Sequence, residues 1–385
     1  MFAKSPEIPP WVPPEGTFAD IPAKNDPNDV IPRFYDKRRV LDPFIQWGGS
    51  AYASEWGDRG AVLFHSSGHL SKGTPVFQPV LCFDLNRLEW YSTNQPLQPN
   101  LEGQPLDQYG MFRDGTYYTP HTYLGLQYFP PSWGAAAPRG ELLQFFHAGA
   151  RIRNRVLRFD LNQKQLGVSK WLTIDFDGLL GTYPSTVMDR NRKGWWVGAC
   201  YGTLWRMAFL SAEGHVIYHD IPNNRSTSWL IDPRADVMIG ISDWDDSNPR
   251  AQNVYVVDLK KPTKKAMVPL KIADGTPKPY PVMGTTRAEL FRLGMVWSDL
   301  LNCGVGYQGL GSRFIHKLII PSDPFRGPYF LAHEELAPYG NATPAFNGFR
   351  NGTWGRFKEV PPLRSFFWAD LANGKPQLFR PRGLG

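Results

Sequence analysis

The sequence predicts an all-β fold in which a four-stranded unit is repeated six times around a ring. Three observations carry this reading. A phrase made of an apolar run, Asp-Leu and a polar turn recurs as VLCFDLNRLEW at 80–90, VLRFDLNQKQL at 156–166 and VYVVDLKKPTK at 254–264. The 385 residues include 37 Gly, 36 Pro and 14% aromatics, a composition suited to many short strands and tight turns. No segment repeats apolar residues at helical spacing for three full turns, which argues against long helices.

Aligning the chain on the Asp-Leu phrase and reading backwards gives the units in order. The first is GSAYAS, GAVLFHSSGH, PVLCFDL and EWYST, and the second is HTYLGLQYF, ELLQFFHAGA, RVLRFDL and KWLTID. The third is PSTVMD, GWWVGACYG, LWRMAFLS and HVIYHDI, and the fourth is STSWLID, DVMIGISDW, NVYVVDL and AMVPLKIA. The fifth is AELFRLGMV, NCGVGYQG, RFIHKLIIP and YFLAHEEL; the sixth has only GRFKEVPP, RSFFWADL and PQLFRP. Third strands are expected to begin near 79, 155, 203, 254, 313 and 376. Second strands are apolar almost throughout, as a strand covered on both faces requires. One such sheet cannot bury both faces, but six arranged radially can, which is the logic of a β-propeller. RRVLDPFIQW (38–47) is the expected N-terminal strand that joins the three-stranded C-terminal blade and closes the ring. The domain reading is a Pro-rich extended arm over 1–33 and one propeller domain over 34–385. Trp11 and Phe18 are the expected anchors of the arm, lying in apolar pockets.

These residues resemble bacterial kelch-repeat propellers of the galactose-oxidase-like class. The resemblance is carried by QWGGSAY (46–52) with its Gly48-Gly49 pair, by Trp90 in the fourth strand of VLCFDLNRLEWY, and by the C-terminal segment 352–381. PPEGTFADI (13–21) is similar to the entry segment of the family, and the second unit displaces its fourth-strand Trp to Trp171. The resemblance implies a six-bladed kelch-type propeller. Oxidases of this class hold copper with tyrosines and histidines, and this set has no residue-by-residue match here. His65 and His69 are four apart across a turn, a spacing that converges imidazoles on a helix but not on a strand. No catalytic residue, metal or other cofactor is therefore assigned.

The net charge of +7 and pI of about 9.2 describe a mild basic excess. Its clusters, ARIRNRVLR and KKPTKK, read as solvated loops, and no nucleic-acid motif accompanies them. No membrane span and no secretory signal peptide are read from the sequence. Cys82, Cys200 and Cys303 are too few and too widely spaced for a disulfide framework and read as small buried hydrophobes. SDWDDSNP (242–249) reads as a polar hairpin, the alternative being a hard-cation loop through Asp243, Asp245 and Asn248. Long loops fall on one face of the ring, where His69, Arg151, Arg153, Trp244 and Tyr307 are candidate binding residues.

These features point to a non-enzymatic propeller that serves as a structural or receptor-contacting subunit of a large assembly. By analogy with tailed-phage particles, a virion tail protein or a cytoplasmic assembly is expected, with other protein subunits as partners and cell-surface glycan as a further candidate partner. The alternatives are a galactose-oxidase-like or other carbohydrate-active enzyme, or a glycan-binding propeller.

Overall fold

The computed structural model describes residues 7–30, 48–65, 80–92, 122, 124–146, 155–161, 184–199, 206–221, 227–241, 253–273, 294–307, 309, 312–343, 354–370 and 375–383. Strand β1 (Thr17–Asp20) and the single helical turn α1 (Pro27–Val30) precede the repeats. The first sheet is β2 (Gly49–Ala53), β3 (Ala61–His65), β4 (Leu81–Asp84) and β5 (Glu89–Ser92). The second is β6 (Leu126–Phe129), β7 (Glu141–Phe146) and β8 (Arg155–Asp160), and the third is β9 (Pro184–Asp189), β10 (Gly194–Ala199), β11 (Met207–Ser211) and β12 (Val216–His219). Next come β13 (Ser228–Asp232), β14 (Val237–Ile241), β15 (Asn253–Asp258) and β16 (Lys265–Ile272). They are followed by β17 (Val296–Ser298), β18 (Cys303–Tyr307), β19 (Phe314–Ile319) and β20 (Tyr329–Glu335). These two antiparallel meanders share one eight-stranded sheet through a short parallel pairing of β16 with β20. The last sheet contains β21 (Ala337–Pro338), β22 (Lys358–Val360), β23 (Ser365–Asp370) and β24 (Lys375–Arg380), together with β1.

The third strands of the units begin at 81, 155, 207, 253, 314 and 375, within four residues of the expected starts. The second-strand run AVLF shows why these segments are continuously apolar. Val62 and Phe64 pack with Phe367 and Leu378 of the last sheet, whereas Ala61 and Leu63 pack with Leu142 and Phe159 of the second. Alternate side chains thus serve opposite neighbours. The same layering continues through the second and third sheets, the third sheet and β13–β15, the two joined meanders, and β18–β19 with the last sheet. First strands adjoin in a cycle: β2 touches β6 and β22, β9 touches β6 and β13, and β17 touches β13 and β22. The fold is all-β and propeller-like.

The recurring Asp-Leu phrase has a local cause. Asp84 Oδ1 accepts the backbone N–H groups of Asn86 and Arg87 at 2.8 and 3.2 Å, and Asp258 Oδ1 accepts those of Lys260 and Lys261 at 2.9 and 3.2 Å. The Asp therefore caps the turn to the outer strand. The following Leu85, Leu161 and Leu259 are buried, and their N–H groups bond Gly60, Gly140 and Asp236 carbonyls at 3.2, 3.3 and 3.0 Å. Those acceptors sit at the end of the first-to-second turn of the same sheet. Gly60, Gly140, Lys193, Asp236, Asn302 and Arg364 all occupy that turn end with φ between 47 and 79°. A left-handed residue there reverses the chain directly into the second strand.

An N-terminal strand does join the last sheet. Segment 38–47 lies outside the described residues, and the N-terminal strand seen in the last sheet is β1. It runs antiparallel to β24 with Phe18 opposite Phe379, and flanking bonds join Gly16 N–H to the Arg380 carbonyl and Ile21 N–H to the Pro376 carbonyl at 2.7 and 2.8 Å. The Pro-rich arm offers these donors because Thr17–Asp20 is free of proline. Phe18 is fully buried against Phe379, with ring centroids 5.8 Å apart, and Trp11 lies half-buried against the layer between the first and last sheets. Part of the segment read as an arm is thus an integral strand. The expected fourth strand KWLTID (170–175) lies outside the described residues. Cys82 and Cys303 are free and buried; Cys200 lies outside the described residues.

Candidate functional site

Residues of β2, β6, β9, β13, β17 and β22, with the turns that follow them, line a cavity of about 480 Å³. Side chains of the first strands are divided between this space and the layers between sheets: Ala51, Leu126, Tyr128 and Leu230 belong to the apolar layers, whereas Gln127, Thr186 and Lys358 bring polar groups to the cavity wall. Tyr52 and Glu55 come from β2 and the turn after it, and Gln127, Tyr128 and Trp133 come from β6 and its turn. Thr186 and Arg190 come from β9 and its turn, Trp229 from β13, Trp297 and Asp299 from β17 and its turn, and Lys358 and Glu359 from β22.

Most of the polar groups are already engaged. Gln127 Nε2 donates to Thr186 Oγ1 at 2.9 Å and to the Thr186 carbonyl at 3.1 Å, tying β6 to β9. Glu359 accepts Ser298 Oγ at 2.5 Å and the Asp299 and Leu300 amides at 3.3 and 3.4 Å, tying β22 to the turn after β17. Burial raises the Glu359 carboxyl above its usual pKa, and those three hydrogen bonds oppose the shift. Arg190 reaches from the turn after β9 to form an ion pair with Asp299, which also accepts Trp297 Nε1 at 2.8 Å. Glu55 accepts both the amide and the hydroxyl of Ser132. Tyr52 and Tyr128 donate to the Arg59 and Arg139 carbonyls at 3.1 and 3.0 Å, and burial raises both phenols.

Lys358 differs from the rest. It has no hydrogen-bond or ion-pair partner among the described residues. Its side chain keeps some accessible surface, yet the surrounding wall pushes its pKa down to about 8. A wall of this kind can hold a small molecule by a few directed polar contacts and aromatic faces.

Of the sequence-derived candidates, His69, Arg151, Arg153 and Trp244 lie outside the described residues, as do Asp243, Asp245 and Asn248. Tyr307 is fully buried: its hydroxyl donates to the Ser312 carbonyl at 2.8 Å and its ring lies 4.7 and 5.4 Å from those of Phe379 and Trp368. It belongs to an apolar layer rather than to an open face. His65 is also buried, with Nδ1 2.5 Å from Gln144 Oε1. Among the described residues, no three His, Cys, Asp or Glu side chains gather as a metal-ligand set, and no helix is long and apolar enough to cross a membrane. Reading the sequence alone missed Lys358, Gln127, Thr186 and Arg190. The available signal was polar residues placed within otherwise apolar first strands.

No family model matches the chain, and no curated protein matches it. Solved structures do. A gluconolactonase from Xanthomonas campestris aligns over 95% of this chain and 98% of its own, with 12% identity and a TM-score of 0.44. An α-L-arabinanase from Penicillium chrysogenum covers the same shares, with 12% identity and a TM-score of 0.42. Virginiamycin B lyase from Staphylococcus aureus aligns over 86% of this chain and 94% of its own, with 11% identity and a TM-score of 0.38.

Proposed function

We propose that the chain is a six-bladed β-propeller, closed by β1 as the outer strand of the last blade, that binds a small polar, sugar-sized molecule in its central cavity. The blade count is supported by the cycle of first strands, by the six apolar layers and by the six left-handed turn ends. A kelch-type blade is supported by Gly49 at the start of β2 and by Trp90, fully buried on β5. The observation that carries the binding reading is the cavity wall, to which every first strand contributes and where the polar groups of Gln127, Thr186, Arg190 and Lys358 stand beside apolar and aromatic side chains such as Met188, Met295, Trp133 and Trp297. Its volume of about 480 Å³ falls in the range of small-molecule sites. The wall supports binding, and no catalytic step is assigned to it. Titration calorimetry against neutral, acidic and amino monosaccharides and disaccharides tests the reading. At least one should bind with 1:1 stoichiometry, and Trp133→Ala should weaken it; no binding by any of them would overturn the reading.

A second reading, an assembly subunit, is favoured by one observation. Outer strands expose large apolar side chains, with Ile217 and Tyr218 on β12 and Met267 on β16 at 54, 38 and 55% accessibility. Among the described residues β12 pairs only with β11, which leaves its other edge without a described partner. Light scattering across a concentration series tests this: assembly that Ile217→Lys abolishes would favour it, and a monomer throughout would not.

A further inference from the structure

Granted the cavity as the ligand site, we propose that it selects a ligand bearing a single carboxylate, with Lys358 as the counter-ion. The first ground is the state of the wall's charges. Each acidic group is already engaged: Glu55 by Ser132, Glu359 by Ser298 and two amides, and Asp299 by Arg190 and Trp297. Asp189 likewise accepts Trp196 Nε1 and Arg192 Nη1, both at 3.0 Å. The other wall cation, Arg190, is committed to Asp299. Lys358 alone in this wall presents a charge that nothing among the described residues neutralises.

An ammonium held among protein atoms without a counter-charge is costly, and an incoming anion relieves that cost. The second ground is stoichiometry of charge. One free cation neutralises one carboxylate. A phosphate dianion would leave one negative charge unmatched inside the cavity, away from bulk water. The third ground is the rest of the wall. Gln127 keeps its side-chain carbonyl oxygen as an acceptor, since only its Nε2 is engaged by Thr186, and Trp133 and Trp297 line the same space, a combination suited to a polyhydroxylated acid such as an aldonic or uronic acid.

The pH behaviour follows from the same lysine. Its pKa of about 8 in the empty cavity means that the charged form is depleted as pH rises past that value. A carboxylate binds the charged form and raises its pKa, so binding takes up a proton above pH 8 and affinity declines there.

Calorimetry with glucuronate, glucose and glucose 6-phosphate on the full chain tests the proposal. Glucuronate should bind at least about tenfold more tightly than glucose near neutral pH, a difference of about 1.4 kcal/mol. Lys358→Gln should erase the preference, Lys358→Arg should keep part of it, and neither should lower the melting temperature. Wild-type affinity for glucuronate should fall as pH rises through about 8, a readout that needs no variant. Equal binding of glucose and glucuronate, unaffected by Lys358→Gln, would overturn the carboxylate proposal and leave the cavity reading standing. Tighter binding of glucose 6-phosphate than of glucuronate would overturn the single-charge argument. Binding of none of the three, extended to the wider sugar panel, would overturn both.

Discussion

The seam that joins β1 to the last sheet and the wall of the central cavity are built by opposite rules. At the seam, Phe18, Phe366, Trp368 and Phe379 are fully buried with Tyr307 in one aromatic layer. Backbone bonds hold the register, and side-chain packing supplies the stabilisation. In the wall, side chains meet through directed hydrogen bonds and ion pairs, and Lys358 has no partner among the described residues. The contrast separates two roles within the same strands. Stability resides in the layers between sheets, while the polar side chains of the wall, among them Gln127, Thr186 and Lys358, lie outside those layers. Substitutions should therefore divide sharply by location.

The largest expected effect lies at the seam. Phe18→Ala removes a fully buried ring and leaves a cavity beside Phe379, and such truncations cost about 3–5 kcal/mol. Urea unfolding should show that loss with little change in ligand binding. Deleting residues 1–20 should be worse, because it uncovers Phe379 and Tyr307 and leaves the backbone edge of β24 unpaired. The division into an arm over 1–33 and a propeller over 34–385 would instead imply a propeller that stays folded without the arm. A truncated chain with wild-type stability would show that β1 is an accessory strand.

The next effect depends on acid. His316 on β19 is fully buried 4.5 Å from the ring of His333, and neither of its nitrogens has a hydrogen-bond partner among the described residues. Burial first, and the neighbouring His333 second, push its pKa from 6.5 down to about 3. The unfolded chain therefore takes up this proton at a higher pH than the folded one. Stability is complete above about pH 6.5 and is lost as pH falls toward 3, by up to a few kcal/mol. Glu359 acts in the opposite sense: its raised pKa lets the folded state bind a proton first, so its contribution improves as pH falls. His316→Leu should flatten the acid limb of a stability-against-pH curve, and Glu359→Gln should steepen it. A curve left unchanged by His316→Leu would remove this histidine as the cause.

Smaller again is the tie between turns at the cavity end. Arg192 donates to both Asp236 oxygens at 2.7 Å and to Asp189 at 3.0 Å, and this lowers the Asp236 pKa. Arg192→Ala would leave buried Asp189 and Asp236 short of a counter-charge, a loss of about 1–3 kcal/mol. The deficit should shrink as pH falls and Asp236 is protonated, and denaturant midpoints at two pH values would reveal it.

These contrasts also explain what could be read in the sequence. The Asp-Leu phrase was legible because its physics is local: Asp84 and Asp258 cap turns two and three residues away. Second strands such as AVLF were legible because burial on both faces leaves a continuous apolar run. The left-handed turn ends were hidden, since only Gly60 and Gly140 carry the residue that announces them, whereas Lys193, Asp236, Asn302 and Arg364 tolerate the same conformation. Strand β1 was not legible because four proline-free residues in a Pro-rich stretch are a weak strand signal. Tyr307, beside Gly306 at the end of a strand, looked like a loop residue, although its ring completes the seam. The cavity wall was illegible for a different reason. Gln127, Thr186 and Lys358 come from segments far apart in the chain, and only the ring brings them together.

The smallest stability effect should accompany one of the larger binding effects, and this is the sharpest test of the division between layer and wall. Gln127 is half-buried, and its amide bridges β6 to Thr186 on β9. Gln127→Ala removes two hydrogen bonds but opens no apolar layer, because the lost atoms face the cavity. The net worth of a typical hydrogen bond is about 0.5–1.5 kcal/mol, and water entering the cavity can replace part of it. Unfolding free energy should therefore fall by no more than about 1 kcal/mol. A ligand held as proposed would lose both Gln127 as a partner and the positioning of Thr186, so its affinity should fall by about tenfold or more. Phe18→Ala should give the mirror image, with a large stability loss and binding unchanged while the protein remains folded. Measuring both variants by urea unfolding and calorimetry sets the two regions side by side. If Gln127→Ala destabilises the fold as much as Phe18→Ala, the wall is structural and the ligand reading loses its basis.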